Sequence, residues 1–533
     1  MRPGLASVAL SVAALTLTSR ILGFGRSVVF SKTVGDTCLG DAYNAANTVP
    51  NVLFEVVAGG VLAGVVIPVV ARHVGCDRPA AAGRTVSALL TWTLLVLTPA
   101  ALAAAAAARV YGEAFAGVGC AGSAETLAAL LVMFVPQIWL YGLAVVSAGV
   151  LQAHHKFVLA AAAPLFSSVV VVVAYLVFAT VATAPAAGST VTTGAALAVL
   201  GWGTTAGVAV LALTTALPLA RLGLRLRPRL RFAPGDSAVV LRIAAAGAVG
   251  LALQQAAVLL ITWVARNSGD VGGLTRFGYA NALYLLPYAV LAAPLLQMIF
   301  PRLTTAAEAG GEQVVRVLAD LAPVVVILGW LGTALLAATA VPVARVFVLG
   351  PGSGRTDALS WPIVAFSLAV VGNTLLGLSS RTLLAQHRAR AAGLVTVSAW
   401  TTVIACILAL RLLVEPTWVV TALAASVSTG LLVGAVVGWA VVRRSLPGIA
   451  AVGMAGTTRS GLLAAVPAGG LGAVLARWFD EVGLVGALGG ALLVGLLCTL
   501  LFLGVLRLVD AELCARLWTQ LRTRRPSPVG ESG

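Results

Sequence analysis

Val482-Gly-Leu-Val-Gly-Ala-Leu-Gly-Gly-Ala-Leu-Leu-Val-Gly-Leu-Leu-Cys-Thr-Leu-Leu-Phe-Leu-Gly-Val-Leu506 runs without a charge. About 20 apolar residues suffice for a helix to cross a bilayer. Similar runs recur along the whole chain, separated by short charged loops. The 533 residues are 60% hydrophobic and only 10% charged, against about 25% charged in soluble domains. A water-facing surface of this size could not be covered, so soluble multidomain enzymes are excluded. Disordered, collagen-like and disulfide-scaffold classes fall for the same reason. The remaining reading is an all-α polytopic membrane protein.

Apolar periodicity predicts helices over 4–25, 42–71, 85–108, 126–151, 157–182, 192–220, 238–265, 274–300, 317–347, 360–384, 391–412, 416–442, 458–476 and 482–506, about 14 in all. The first 25 residues resemble a signal peptide. Arg20 interrupts their apolar part and no clear cleavage site follows, so they read as a retained first helix. Pro50 and Pro287, inside the second and eighth helices, predict kinks or breaks.

Net charge is +16, carried by 32 arginines with Lys32 and Lys156. No aromatic-basic motif accompanies it, so nucleic acid is not an expected partner. With the N-terminus inside, 24 basic residues fall on the cytoplasmic side, including Arg221, Arg225, Arg227, Arg229 and Arg231. Nine fall outside, among them Arg26, Arg266 and Arg276, and Arg20 lies within the first helix. Basic residues collect on the cytoplasmic side, so both termini are expected in the cytoplasm. The six cysteines form no CxxC pair and no metal spacing. Cys38 and Cys120 are both external on this topology and could pair, with free thiols the simpler expectation.

A weak internal repeat relates Gly35-Asp36, Tyr43, Asn44, Asn47 and Pro50 to Gly269-Asp270, Tyr279, Asn281 and Pro287. The copies sit six helices apart and share one orientation. This suggests two six-helix lobes, residues 1–231 and 232–445, with a central cavity between them. Two extra helices over 446–510 and a cytoplasmic tail over 511–533 complete the chain. Parallel-repeat transporters place their substrate at the repeat interface.

Few polar groups interrupt the apolar spans, and each costs several kcal/mol unless it meets water or a partner. At 100° per residue, Asp41, Asn44, Asn47, Asn51 and Glu55 fall within an arc of about 120°. Asn281, Tyr284 and Tyr288 make a milder stripe on the eighth helix. Two readings stand for such a stripe: a wet cavity wall, or hydrogen-bonding glue between helices. Arg20 lies about 24 Å along the helix from Gly4, at 1.5 Å per residue. It either snorkels to the outer face or lines a cavity as a bidentate phosphate ligand, with Arg26 beside it. Gln254, Gln255, Gln297 and Asn373 are lesser candidates. Gly117-Val-Gly-Cys-Ala-Gly122 follows no strand and is not a dinucleotide loop. Gly430, Gly434 and Gly438 signal close helix packing. No Walker A loop or nucleophile–base set appears, so neither an enzyme nor a cofactor is expected.

Thr18-Ser-Arg20-Ile-Leu-Gly-Phe24-Gly-Arg26, with Asp41-Ala-Tyr43, Val49-Pro-Asn51 and Ile67-Pro68, resembles the N-terminal signature of the MurJ (MviN) lipid II flippases. That family lies in the multidrug/oligosaccharidyl-lipid/polysaccharide exporter superfamily. Gly149-Val-Leu-Gln-Ala153, Tyr279-Ala-Asn281 and Arg381-Thr-Leu-Leu-Ala385 extend the resemblance. It implies two lobes and 14 helices, the last two forming a lipid-tail groove, in a bacterial plasma membrane. It implies translocation of undecaprenyl-diphosphate-linked muropeptide, with membrane lipids and wall-synthesis or division proteins as partners. Arg20 and Arg26 match the family's cavity arginines and Asp41 their acidic partner. Phe54 and Ala282 stand where relatives carry further arginines, and Glu55 follows. With no ATP site in the sequence, an ion gradient or the membrane potential is the expected drive. Rival readings are a drug or cation antiporter of the same fold, dominated by Asp41 and Glu55, and a non-transporting scaffold for wall synthesis.

Overall fold

The computed structural model describes residues 5–56, 63–76, 78–182, 188–224, 226–232, 236–411 and 413–515. Among these, 18 α-helices form and no strand; one isolated bridge joins Ala121 to Ser189. The helices run α1 (Leu5–Thr33), α2 (Cys38–Glu55), α3 (Ala63–Gly75), α4 (Pro79–Ala106), α5 (Ala108–Ala114), α6 (Ser123–Ala153), α7 (Phe157–Val181) and α8 (Gly194–Ala220). Then come α9 (Asp236–Ser268), α10 (Gly273–Pro287), α11 (Ala293–Ala309), α12 (Gly311–Ala338), α13 (Ala340–Val348) and α14 (Asp357–Ala385). The last are α15 (Ala389–Leu410), α16 (Val419–Ser445), α17 (Met454–Ala476) and α18 (Leu484–Val509).

Twelve segments among the described residues are long and apolar enough to span a bilayer, and they correspond to the third through fourteenth expected helices. α18 has a mean hydropathy of 2.6, yet only 22% of its window is buried within the protein. Leu492 and Val485 are 77% and 84% exposed. Only lipid can cover such a surface at acceptable cost. The protein is a polytopic membrane protein. The first two expected spans correspond to α1 and to α2 with α3.

The prolines act differently. At Pro287 the α-helix gives way to a π-helical stretch, Tyr288–Ala292, before α11 resumes. Proline removes one i→i−4 bond and its ring clashes with the preceding turn, and a π-bulge is one way to absorb this. Pro50 causes no break: α2 continues through it to Glu55. The segment from 57 to 62 lies outside the described residues. The expected helix over 317–347 is divided at Thr339 into α12 and α13, and α5 was not expected at all.

α6 and α14 share a feature that periodicity did not single out. α6 and α14, the fourth and tenth spans, both end in a left-handed histidine: His155 at φ 60° and His387 at φ 58°. Behind each, the Lys156 N–H donates to Leu151 O (2.8 Å) and the Arg388 N–H to Leu383 O (2.9 Å). These are the 6→1 bonds of a Schellman cap. Glycine is the usual residue at this position; here histidine takes it twice, six spans apart.

The chain divides into two compact units. One holds Met1–Ala282, Val346–Pro362 and Trp400–Ser426; the other holds Leu283–Arg345, Ile363–Ala399 and Val427–Gly533. In the first, α6, α7 and α8 pack together and α1 lies on α7, with a core cluster around Val66, Val86, Leu89 and Val150. In the second, α12 packs on α17 and α18, and one large cluster gathers Leu296, Val325, Trp330, Val395 and Phe502.

Candidate functional site

The polar stripe of α2 begins in packed protein and ends in the open. Thr37 caps the helix by accepting from the Gly40 N–H at 3.1 Å, leaving Asp41 in the first turn. Asp41 is 3% exposed. Its carboxylate accepts from the Gly272 N–H (3.1 Å), the Thr275 N–H (2.8 Å) and the Thr275 hydroxyl (2.7 Å). These donors belong to the turn that starts α10, where unpaired N–H groups and the helix dipole favour an anion. One turn on, Asn44 Nδ2 donates to Thr275 Oγ1 at 3.0 Å. Asn47 is half-buried, and its Oδ1 is enclosed without a hydrogen-bond partner. Asn51 is exposed and accepts from Tyr141 Oη at 3.4 Å; Glu55 is exposed. Both readings of the stripe thus have a place. Asp41 and Asn44 bond neighbouring elements, whereas Asn51 and Glu55 present polar atoms to space.

Asp41 does not stand alone. Arg266 Nη1 lies 4.0 Å from its carboxylate. The same guanidinium donates to Phe115 O (2.8 Å), to Ala116 O and to Ser123 Oγ. Asp36 pairs with Arg276 at 3.3 Å and accepts from the Ser353 hydroxyl at 2.7 Å. All four charged groups are 3–4% exposed. A buried charge needs such partners, since bare burial is prohibitive. Close backbone contact makes this possible. Gly272 sits at φ +80°, and a Cβ there would lie 2.2 Å from Asp36 O; one on Gly35, at φ +71°, would lie 1.7 Å from Pro351 O. A disulfide joins Cys38, the first residue of α2, to Cys120, with Cα atoms 5.7 Å apart. The simpler expectation of free thiols is therefore corrected. Nearby, burial pushes the Tyr111 phenol above its usual range while Arg266 pulls it down, so it stays a neutral donor to Ala45 O at 2.9 Å.

Arg20 and Arg26 are both exposed on α1, six positions and so about 120° apart around its axis. Tyr43 Oη lies 2.8 Å from Tyr175 Oη and 3.0 Å from Thr204 Oγ1, with the Phe30 ring tilted against Tyr43 and edge-on to Tyr175, centroids 5.1 Å from each. Phe54 packs on Tyr141 with centroids 4.5 Å apart, so an aromatic pair occupies this α2 position. Asn281 and Ala282 on α10 are half-buried. The structure brings Asp41 and Asn44 together with α10, and pairs Asp41 with Arg266 in place of Arg20 or Arg26. Sequence reading missed Asp36, Arg266, Arg276, Ser353 and the Tyr43–Tyr175–Thr204 group. Acidic and basic residues flanking apolar runs were the available signal.

A family model described as Lipid II flippase MurJ matches residues 30–490. The chain belongs to the MurJ lipid II flippase family. It is 27% identical over 388 residues to Lipid II flippase MurJ of Burkholderia cenocepacia, spanning 69% of this chain and 70% of that one. It is also 27% identical to a probable lipid II flippase MurJ of Rhizobium meliloti, over 56% of this chain and 55% of that protein. In fold it is similar to a lipid II flippase MurJ solved in an inward closed conformation, with TM-score 0.72, 17% identity, and 93% and 98% of the two chains covered. An inward-facing MATE family transporter of the MOP superfamily has TM-score 0.66 at 15% identity, covering 84% of this chain and 99% of that one. The chain thus shares its fold with both solved proteins.

Proposed function

We propose that this chain translocates a lipid-linked peptidoglycan precursor, undecaprenyl-diphosphate-linked muropeptide, from the inner to the outer leaflet by alternating access. Membership of the MurJ family carries the proposal. Unaided, the diphosphate and sugar-peptide would shed their hydration on entering hydrocarbon. Exposed Arg20 and Arg26 on α1, with the open polar edge of Asn51 and Glu55 on α2 and half-buried Asn47 behind it, offer replacement hydrogen bonds. Guanidinium groups suit diphosphate because they bind oxygens in bidentate fashion. Asn281 on the repeat-related α10 would add an amide. The polyprenyl tail stays in lipid, and the apolar exposed faces of α17 and α18 suit it: Val466, Leu471 and Leu492 are 64%, 52% and 77% exposed.

In this reading both termini are cytoplasmic. The arginine asymmetry supports that orientation. So does the disulfide, which is stable in an oxidising extracytoplasmic space. Asp41 then belongs to an external closure that holds α2 to the start of α10 and parts in the outward-open state. The membrane potential supplies about 2.3 kcal/mol per charge per 100 mV, and an ion gradient is the other candidate drive; neither needs a cofactor. The test is Arg20→Ala in the full chain. It should abolish lipid II translocation while membrane insertion persists. Undiminished translocation removes the cavity role of Arg20; undiminished wall synthesis after depletion of the chain removes the flippase reading itself.

A further inference from the structure

Arg221, Arg227, Arg229 and Arg231 lie on one non-helical segment after α8, in the run Arg221-Leu-Gly-Leu-Arg-Leu-Arg-Pro-Arg-Leu-Arg-Phe232. Arg225 lies outside the described residues. The flanks of this segment are anchored to the core: Leu222, Leu224 and Phe232 pack on the cluster around Val66 and Val86. Its middle is fixed to the side of α4. The Arg227 N–H donates to Ser87 Oγ (3.1 Å) and the Arg229 N–H to Thr91 Oγ1 (3.0 Å). In return, Trp92 Nε1 donates to Leu230 O at 2.9 Å. A transmembrane helix therefore holds the segment's backbone by three side chains over little more than one turn.

The side chains point elsewhere. All four arginines are exposed, and so are Leu226 (37%) and Leu230 (58%). The position along α4 sets the depth. Just beyond Trp92, Leu94, Leu95 and Val96 are 47%, 51% and 59% exposed, which marks the start of the lipid-facing belt. Tryptophan is enriched at that boundary. The segment thus lies where headgroups begin, with leucines able to dip into acyl chains and arginines at phosphate level. Arg84, one turn before Ser87, is exposed as well. Asp236, which accepts from Thr85 of α4 (2.6 Å), is fully buried and also held by Arg72 and His73 (2.8 Å).

We propose that residues 221–224 and 226–232 form a basic strap that gathers anionic phospholipid headgroups of the inner leaflet against α4. Charge complementarity and depth select this occupant. Clusters of basic residues just cytoplasmic of a membrane helix bind anionic lipid surfaces, each charge strengthening attraction about fivefold. The strap's sidedness rests on the cytoplasmic orientation proposed above, but lipid binding requires no translocation.

The experiment uses the full chain in nanodiscs of phosphatidylcholine with phosphatidylglycerol, and native mass spectrometry to count retained lipids. Replacing Arg221, Arg227, Arg229 and Arg231 by Gln should lower phosphatidylglycerol preference at least about tenfold. The matching Lys variant should keep it, which separates lost charge from lost fold. Added salt should weaken the wild-type preference. An unchanged preference in the Gln variant overturns the proposal. So does loss of binding to soluble polyglutamate without loss of phosphatidylglycerol, because the strap would then serve an acidic polypeptide. Labelling of an Arg227→Cys variant from outside intact cells overturns the inner-leaflet assignment, whereas failure of the Arg20→Ala or depletion tests above touches only the cavity role of Arg20 or the flippase reading.

Discussion

Replacing Asp41 by Asn keeps the shape of the side chain and removes half of what it does. One oxygen can still accept from the Thr275 N–H and hydroxyl at 2.8 and 2.7 Å. The new amide must then face the Gly272 N–H, 3.1 Å from the replaced oxygen, and Arg266 at 4.0 Å. Donor meets donor. A hydrogen bond to a charged acceptor contributes about 1.5–3 kcal/mol, and breaking a buried ion pair costs about 3–5 kcal/mol. Arg266 keeps its contacts to Phe115 O, Ala116 O and Ser123 Oγ, so the lower part of that range applies. A net loss of ~3 kcal/mol at this end of α2 and α10 is expected. Peptide-level hydrogen exchange over 268–279 reads it directly. Local opening weakened by ~3 kcal/mol speeds exchange at Gly272 and Thr275 about 100-fold. If Asp41 merely lines water, the isosteric change costs within about 0.5 kcal/mol. Exchange altered less than about threefold would therefore refute the buried-acceptor argument.

Three further outcomes follow from the same geometry. Gly272→Ala meets Asp36 O at 2.2 Å in a left-handed conformation; it should destabilise by at least about 2 kcal/mol, seen as a lower melting temperature and faster exchange over 34–41. His155→Gly and His387→Gly each relieve a left-handed non-glycine residue and should stabilise by up to about 1 kcal/mol, read as a raised melting temperature; a fall in both would discount the caps. Replacing Cys38 and Cys120 together by Ser should cost about 2–4 kcal/mol, and a reductant should lower wild-type stability to the variant's level while leaving the variant itself unchanged.

Composition made the class of fold plain, because lipid is the solvent that suits a chain 60% hydrophobic. Periodicity located the spans, and Pro287 marked the site of its π-helical stretch. Pro50 leaves α2 unbroken to Glu55, as helices in lipid tolerate proline where neighbours satisfy the freed carbonyl. The α2 stripe was legible as a face, since 100° per residue fixes which residues share a side. What that face meets was not legible. Asp41 needs the turn at Gly272–Thr275, more than 200 positions away, and no local pattern reports it. Arg266 and Arg276 illustrate the same gap. They count as external charges in a topology argument, yet both are buried at 3% exposure and paired. Counting sees charge, not solvation. The His155 and His387 caps escaped because composition says nothing about backbone handedness.

The Asp36–Arg276 and Asp41–Thr275–Arg266 contacts have an energetic corollary for a moving protein. Interlocked leucines would make a closure whose opening hands bare hydrocarbon to water, at about 25 cal/mol per Å². Ionic partners regain their hydration shells as they separate, so the Coulombic loss is largely refunded by solvent. If the external closure proposed above does open, a clasp of this kind would fix geometry when shut while leaving the two states close in free energy. Under that proposal, such near-balance would let a modest bias tip the population from one state to the other.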